Sequence, residues 1–262
     1  MKKYLNITFW VFVGIYFFVV LGFVSSRQKK ALCTSINVIY IDSLNYRFVD
    51  RDDLIKLIDE KDEKVLGRPM NELNISKLEK IISDQPYVKA AEVYTEINGV
   101  LNVKIAQRLP IVRVINSKNK GYYIDSEGYL LPLSKKVSLR LLVASGNINF
   151  NPNFDTTMYV LDNQNINKDK KVLQDILVLA DFINKNDFWK AQIQQIYLNN
   201  ENEFELVPLV GAQIIYFGTI KNYQKKFKKL EATYKKGFLY KGWNKYKSIN
   251  LKYEHQVICE KK

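Results

Sequence analysis

From Leu5 to Val24 the chain is apolar for twenty residues without a charge, interrupted only by Asn6 and Thr8, and beyond it the pattern breaks into short periodic runs. At ~1.5 Å rise per residue such a helix spans the roughly 30 Å hydrocarbon core of a bilayer, and Trp10, Tyr16 and the phenylalanines suit a lipid-facing surface. The pattern therefore predicts a single transmembrane helix at 5–24. A cleavable leader is the rival reading, with Val24-Ser25-Ser26 as its cut site, but leader cores usually run only ~7–15 residues. Leu32 before Cys33 argues against a lipoprotein, which needs a small residue there.

Downstream, Ile36, Val38 and Tyr40 alternate with Asn37, Ile39 and Ile41, which predicts a mostly buried strand. Asp50 is placed to cap a helix carrying Leu54, Ile55 and Ile58, with Asp52 and Asp53 in its first turn. Gly67-Arg68-Pro69 breaks the chain. Asn74 caps a second helix with Ile75, Leu78, Ile81 and Ile82 on one side, ended by Pro86. Strands follow at Val88–Ile97 and Val100–Gln107, and Asn98-Gly99 between them signals a two-residue hairpin in which both turn residues take positive φ. The order over 34–109 is strand, helix, helix, strand, strand.

The remainder reads as a mixed β module at 110–258. Tyr122–Asp125 and Tyr129–Leu133 flank a Ser-Glu-Gly turn, Arg140–Ala144 is a short apolar run, and Val172, Ile176, Leu179, Ala180 and Ile183 stripe a helix from Lys168 to Asn184. Strands resume at Ile193–Leu198, Glu203–Leu206 and Gln213–Phe217. Tyr223, Phe227, Leu230 and Tyr234 then stripe a second, lysine-rich helix. Fold class is thus α+β, a β-α-α-β-β domain followed by a mixed β domain with two helices. In the last strand, Tyr246–Ile258, odd positions Ile249, Leu251, Tyr253 and Val257 are apolar while Asn250, Lys252, Glu254 and Gln256 are polar, so one face is expected to be buried and the other wet. Residues 259–262 are left as a tail.

The formal net charge of +13 raises the question of nucleic acid. Ten lysines stand against Glu231 alone between Lys221 and Lys247, whereas Asp50–Glu63 is mainly acidic. A packed helix with a solvated lysine face accounts for this run, and attraction to anionic lipid or an acidic partner is the other reading. Nucleic acid fits least, because an anchor at 5–24 with residues 1–4 in the cytoplasm exports everything after it. Lys2 and Lys3 on one flank balance Arg27, Lys29 and Lys30 on the other, so flanking charge does not decide orientation. Residues 25–33 form the juxtamembrane linker. Cys33 and Cys259 lie at opposite extremities and define no disulfide framework.

Three stretches carry a family resemblance. Gln85-Pro86-Tyr87-Val88-Lys89-Ala90-Ala91-Glu92-Val93 is similar to a "Pro-x-Val-x-x-Ala-x-Val" approach to a hairpin. Leu101–Val112 resembles a strand ending in "Glu-Arg-x-Pro-hydrophobic-Ala". Tyr122–Pro132 matches "Tyr-hydrophobic-hydrophobic-Asp-x-x-Gly". Together, after one anchor, they resemble the FtsQ/DivIB family of bacterial cell-division proteins, with a POTRA domain at 34–109. The chain departs from the pattern at Gln107, where an acid is usual, and at Asn98-Gly99, which replaces a common proline; neither disturbs the strand order.

The resemblance implies a non-enzymatic divisome scaffold in the inner membrane at the septum. It would join early division proteins to the FtsB/DivIC-like and FtsL-like bitopic proteins. The chain's ending resembles the family's "Ile-Asp-Leu-Arg-Tyr-x-x-x-hydrophobic", with Asn250 and Lys252 at the Asp and Arg positions. In that family the terminal strand is a sheet edge that receives a partner segment, which makes Ile249, Asn250, Leu251, Lys252, Tyr253, Glu254, His255, Gln256 and Val257 the candidate partner-binding residues. Lys252 would pair with an acidic partner residue, and Tyr253 would add apolar contact. Without the resemblance the same strand reads first as one that merely closes the sheet. A POTRA-bearing transport or outer-membrane assembly subunit is the second reading, and it expects repeated POTRA units or barrel strands that this chain lacks. No catalytic, cofactor or metal constellation stands out: His255 is the sole histidine, and the eleven glycines are scattered. No small-molecule substrate is therefore expected.

Overall fold

The structure, a computed structural model, describes residues 10–20, 31–42, 46–61, 64–96, 98–154, 158–162, 167–211, 213–238 and 245–262. Residues 10–20 are helical, and apolar side chains such as Trp10 and Phe18 are exposed. Among the described residues no helix is long and apolar enough to cross a membrane. The expected transmembrane helix is thus described only in its middle, and the rest of Leu5–Val24 lies outside the described residues. The chain divides into two compact units, Met1–Gln107 and Arg108–Lys262.

The first unit contains β1 (Ser35–Tyr40), α1 (Arg51–Lys61), α2 (Ile75–Ser83), β2 (Val88–Thr95) and β3 (Val100–Gln107). This is the strand, helix, helix, strand, strand order read from the sequence. The sheet runs β1-β3-β2, with β1 parallel to β3 and β2 antiparallel to it. Asp50 and Asp53 start α1 reciprocally: the Asp53 amide donates to Asp50 Oδ1 at 2.9 Å and the Asp50 amide to Asp53 Oδ2 at 3.1 Å. Asn74 Oδ1 accepts from the Lys77 amide at 3.0 Å and starts α2. Leu54 and Ile58 of α1 are buried, as are Leu78, Ile81 and Ile82 of α2.

Two expectations for this unit change. β1 is not mostly buried: Ile36 is, but Ile39 is 36% and Ile41 64% exposed, because β1 is an edge strand and its alternate side chains face water. The hairpin exists, with Gly99 at φ 85°, but its loop is longer than two residues. The Glu96 amide donates to the Val100 carbonyl and the Gly99 amide to the Glu96 carbonyl, so the loop holds three residues, with glycine at the left-handed position. A Cβ at Gly99 would also stand 2.5 Å from the Leu32 carbonyl oxygen.

The second unit contains β4 (Pro110–Ile115), β5 (Gly121–Asp125), β6 (Leu130–Pro132), β7 (Leu142–Gly146), α3 (Lys168–Asn184), α4 (Asp187–Gln192), β8 (Ile193–Leu198), β9 (Phe204–Pro208), β10 (Ile214–Gly218), α5 (Tyr223–Ala232), β11 (Tyr246–Asn250) and β12 (Ile258–Lys261). All nine strands join one sheet in the order β12-β11-β10-β9-β8-β7-β4-β5-β6. α3 lies in the connection between parallel strands β7 and β8, and α5 in that between parallel strands β10 and β11. One core joins Ile176, Leu179, Ala180 and Ile183 of α3 to Phe227 and Leu230 of α5, and to sheet residues such as Val114, Ile196, Leu206 and Ile249.

The helix count differs from expectation, since α4 adds a third. Asn186 Oδ1 accepts from the Trp189 amide at 3.1 Å to begin it, and Trp189 is buried against Phe227. Six residues are too few to print a helical period. α5 follows the expected stripe, with Phe227 and Leu230 buried and Tyr223 partly so, while Lys225 and Lys228 are exposed. Tyr234, also buried, belongs to a π-helical turn, Thr233–Phe238, that continues it.

Candidate partner-docking edge

The carboxy-terminal strands begin with β11, which runs parallel to β10 with Ile214, Ile215 and Tyr216 opposite Ser248, Ile249 and Asn250. The Leu251 amide still donates to the Tyr216 carbonyl at 2.9 Å. There the strand stops, because Asn250 Oδ1 accepts from the Lys252 amide at 3.0 Å and offers the backbone a turn in place of the ladder. The chain crosses 251–257 without regular structure and returns as β12, antiparallel to β11, with Asn250, Ile249 and Ser248 opposite Ile258, Cys259 and Glu260.

The continuous strand expected at Tyr246–Ile258 is therefore two strands and a loop, and the residues set aside as a tail form most of the edge strand. Of the candidate residues, Ile249 and Asn250 lie in β11, already flanked on both sides. Leu251, Lys252, Tyr253, Glu254, His255, Gln256 and Val257 make the loop. Leu251 is fully buried, Val257 packs partly on the core, and Lys252, Glu254, His255 and Gln256 are exposed. Tyr253 is 49% exposed and not on a buried face, since alternation ends where the strand does. Lys252 is already paired with Glu203, and that hydrogen bond raises its pKa above the ordinary lysine value. Lys229 Nζ holds the loop from beneath by donating to the Tyr253 carbonyl at 2.5 Å.

β12 is one of the two outer strands of the sheet. Lys247 Nζ meets Glu260 Oε1 at 2.6 Å and Ser248 Oγ lies 3.2 Å from Glu260 Oε2, fastening β12 to β11. Their hydrogen bond, and then the opposite charge of each partner, depress the Glu260 pKa and raise that of Lys247. Alternation then settles which backbone groups face outward. The Lys262 amide donates inward to the Lys245 carbonyl at 3.1 Å, so Glu260 and Ile258 also point to β11, while Cys259 and Lys261 point away. The Leu251 amide bond to β10 gives the same phase from the β11 side. Cys259, Glu260 and Lys261 were missed in the sequence because four residues show too little periodicity. The available clue was His255, which breaks the odd-position apolar series.

The chemistry of the edge is that of an unfilled ladder: outward donors and acceptors that an extended segment can complete. Among the described residues no group of three or more His, Cys, Asp or Glu could hold a metal ion. A POTRA-like three-stranded unit thus precedes a mixed β unit whose sheet ends in a short open strand. Residues 31–106 match the family model of the POTRA-like domain, and residues 109–260 match the model described as FtsQ/DivIB, C-terminal related. The second match alone spans more than half of the chain, and the chain belongs to the FtsQ/DivIB family of cell-division proteins. No curated protein matches it.

Proposed function

We propose that this protein is a non-enzymatic scaffold of the divisome, held in the inner membrane by Leu5–Val24 with residues 1–4 in the cytoplasm and the two units outside. It links early division proteins to an FtsB/DivIC-like and FtsL-like pair, and through them to septal peptidoglycan synthesis. The partner's segment adds as a strand to the outer side of β12. Residues Lys252–Gln256 flank that segment at the end where β12 begins, offering the half-exposed Tyr253 ring and the Glu254 charge beside the Lys252–Glu203 pair. The observation that carries the reading is the open edge at Cys259 and Lys261 in a unit that matches the FtsQ/DivIB model.

The geometry also selects the test. A proline at Lys252 would disturb the Asn250 turn, because its amide is already engaged within the chain, and one at Asn250 would strike the β11–β12 ladder. Lys261→Pro instead removes an outward donor and places a ring on the open edge, while the inward Lys262 bond stays. A lost ladder bond with a steric block weakens capture of the FtsB/DivIC-like partner by about tenfold or more. Pull-down with the full chain in detergent measures it, with Lys261→Ala expected to bind normally. Undiminished capture by a folded Lys261→Pro protein would overturn strand addition at this edge.

A further inference from the structure

β10, α5 and β11 form a strand, helix and parallel strand, and the crevice beyond the carboxyl ends of such strands is where open α/β sheets take ligands. Here it is a cleft of about 220 Å³, bounded by Thr219 past the end of β10 and by Leu251–Glu254 past the end of β11. Lys221, Lys225, Lys226, Lys229 and Lys252 all line it, with Glu254 the one acidic lining residue. Of these lysines only Lys252 has a carboxylate partner among the described residues, Glu203.

The others are positioned without being neutralised. Lys226 Nζ donates to the Phe217 carbonyl at 2.8 Å and the Thr219 carbonyl at 2.7 Å. Lys229 Nζ donates to the Tyr253 carbonyl and, at longer range, to those of Leu251 and Glu254. Backbone oxygens fix these ammonium groups in place but leave their charge standing. Burial, and then the like charge of Lys229, push the Lys226 pKa down, with Glu203 opposing the shift and Lys252 adding to it. Lys221 and Lys225 are exposed at the mouth with no ion pair to any described residue.

Four ammonium groups without an ion pair among the described residues, around so small a space, suit a compact, multiply charged anion. A phosphate group concentrates a charge of about −1.5 to −2 on three acceptor oxygens, and lysine binds it as a point charge. An acidic peptide brings one charge per side chain and must spread its carboxylates to reach the same lysines. We propose that this cleft is a phosphate-binding site, taking the phosphate of a small soluble compound or of an anionic lipid headgroup. The cleft shares the 251–254 loop with the surroundings of the β12 edge, but its unpaired lysines lie on α5 and just before it, and the proposal does not depend on the divisome reading.

The test uses the full chain in neutral detergent micelles and follows the amide resonances of Lys225, Lys226 and Lys229. One arm titrates inorganic phosphate against chloride of equal ionic strength. The other dopes the micelles with dihexanoylphosphatidylglycerol, with dihexanoylphosphatidylcholine as the control. Saturable shifts in the first arm assign a soluble phosphate, and shifts confined to the second assign a headgroup. In either case the double variant Lys221→Glu, Lys225→Glu weakens binding at least tenfold and keeps the parent circular dichroism and partner capture. The site is refuted if chloride reproduces the shifts, if neither probe saturates, if the folded double variant binds as the parent does, or if a glutamate-rich peptide outcompetes phosphate.

Discussion

Asn250 decides the geometry of the carboxy terminus. An apolar residue there would leave β11 free to run on, whereas its side-chain oxygen takes the Lys252 amide and turns the chain. Gln107 works by similar means in the first unit, where its Oε1 accepts from the Phe48 amide at 2.8 Å and its Nε2 donates to Asp42. An acid at 107 would set two carboxylates against each other, so glutamine is the side chain that this neighbourhood can bury. Glu260 is the residue whose ionisation reports on the docking edge. Its pKa is depressed, so its contribution is complete above the ordinary glutamate value of 4.5 and fades as pH falls through the lower folded value. Lys247, raised above 10.5, contributes fully below that value and loses its effect as pH rises beyond it. Both groups are fully exposed, so the consequence is local fraying of β12 without global unfolding. Hydrogen exchange of the Lys262 amide, corrected for intrinsic rate, should show steady protection near neutrality and a loss below about pH 4.5. Glu260→Gln should lack this acid limb; its survival in that variant would show that another group fastens the strand.

At the scale of elements, α5 makes the strongest claim on the second core. Phe227 sits with ring centroids 4.6 Å from Phe182, 5.2 Å from Trp189 and 5.1 Å from Phe217. Phe227→Ala should cost about 3–5 kcal/mol, read from urea unfolding by tryptophan fluorescence, while Lys228→Ala on the exposed face should stay within about 0.5 kcal/mol. A small effect at Phe227 would mean that α5 is not packed as described. Elements of this kind were legible in the sequence. α3 begins and ends where its stripe predicts, with Asn167 capping it, and β8 matches its apolar run, because long periods are local signals. β12 and α4 were not legible, being shorter than the window in which a period can be counted. The expected continuous carboxy-terminal strand was misread for a related reason: alternation from Tyr246 to Val257 looks the same whether the strand continues or turns at Asn250. Only pairing with β10 and β12, a relation between distant parts of the chain, separates the two.

At the scale of the whole molecule, the family's role in division joins an apolar amino-terminal segment, a POTRA-like unit and an open-edged β unit in one chain. If the units act as a tether between partners, each part should be needed, yet not each in the same way. Depleting the protein in the bacterium that carries it should leave growth intact and block septation, giving filaments by microscopy. The parent gene should restore division. Lys261→Pro should fail to restore it although the protein accumulates normally, because the block lies in partner capture. On the proposed reading of Leu5–Val24 as a membrane tether, deleting it should also fail, and an unrelated single-span anchor placed before residue 25 should rescue it. Failure of that swap would assign Leu5–Val24 a contact of its own within the membrane. Normal septation after full depletion would remove the division role from this chain altogether.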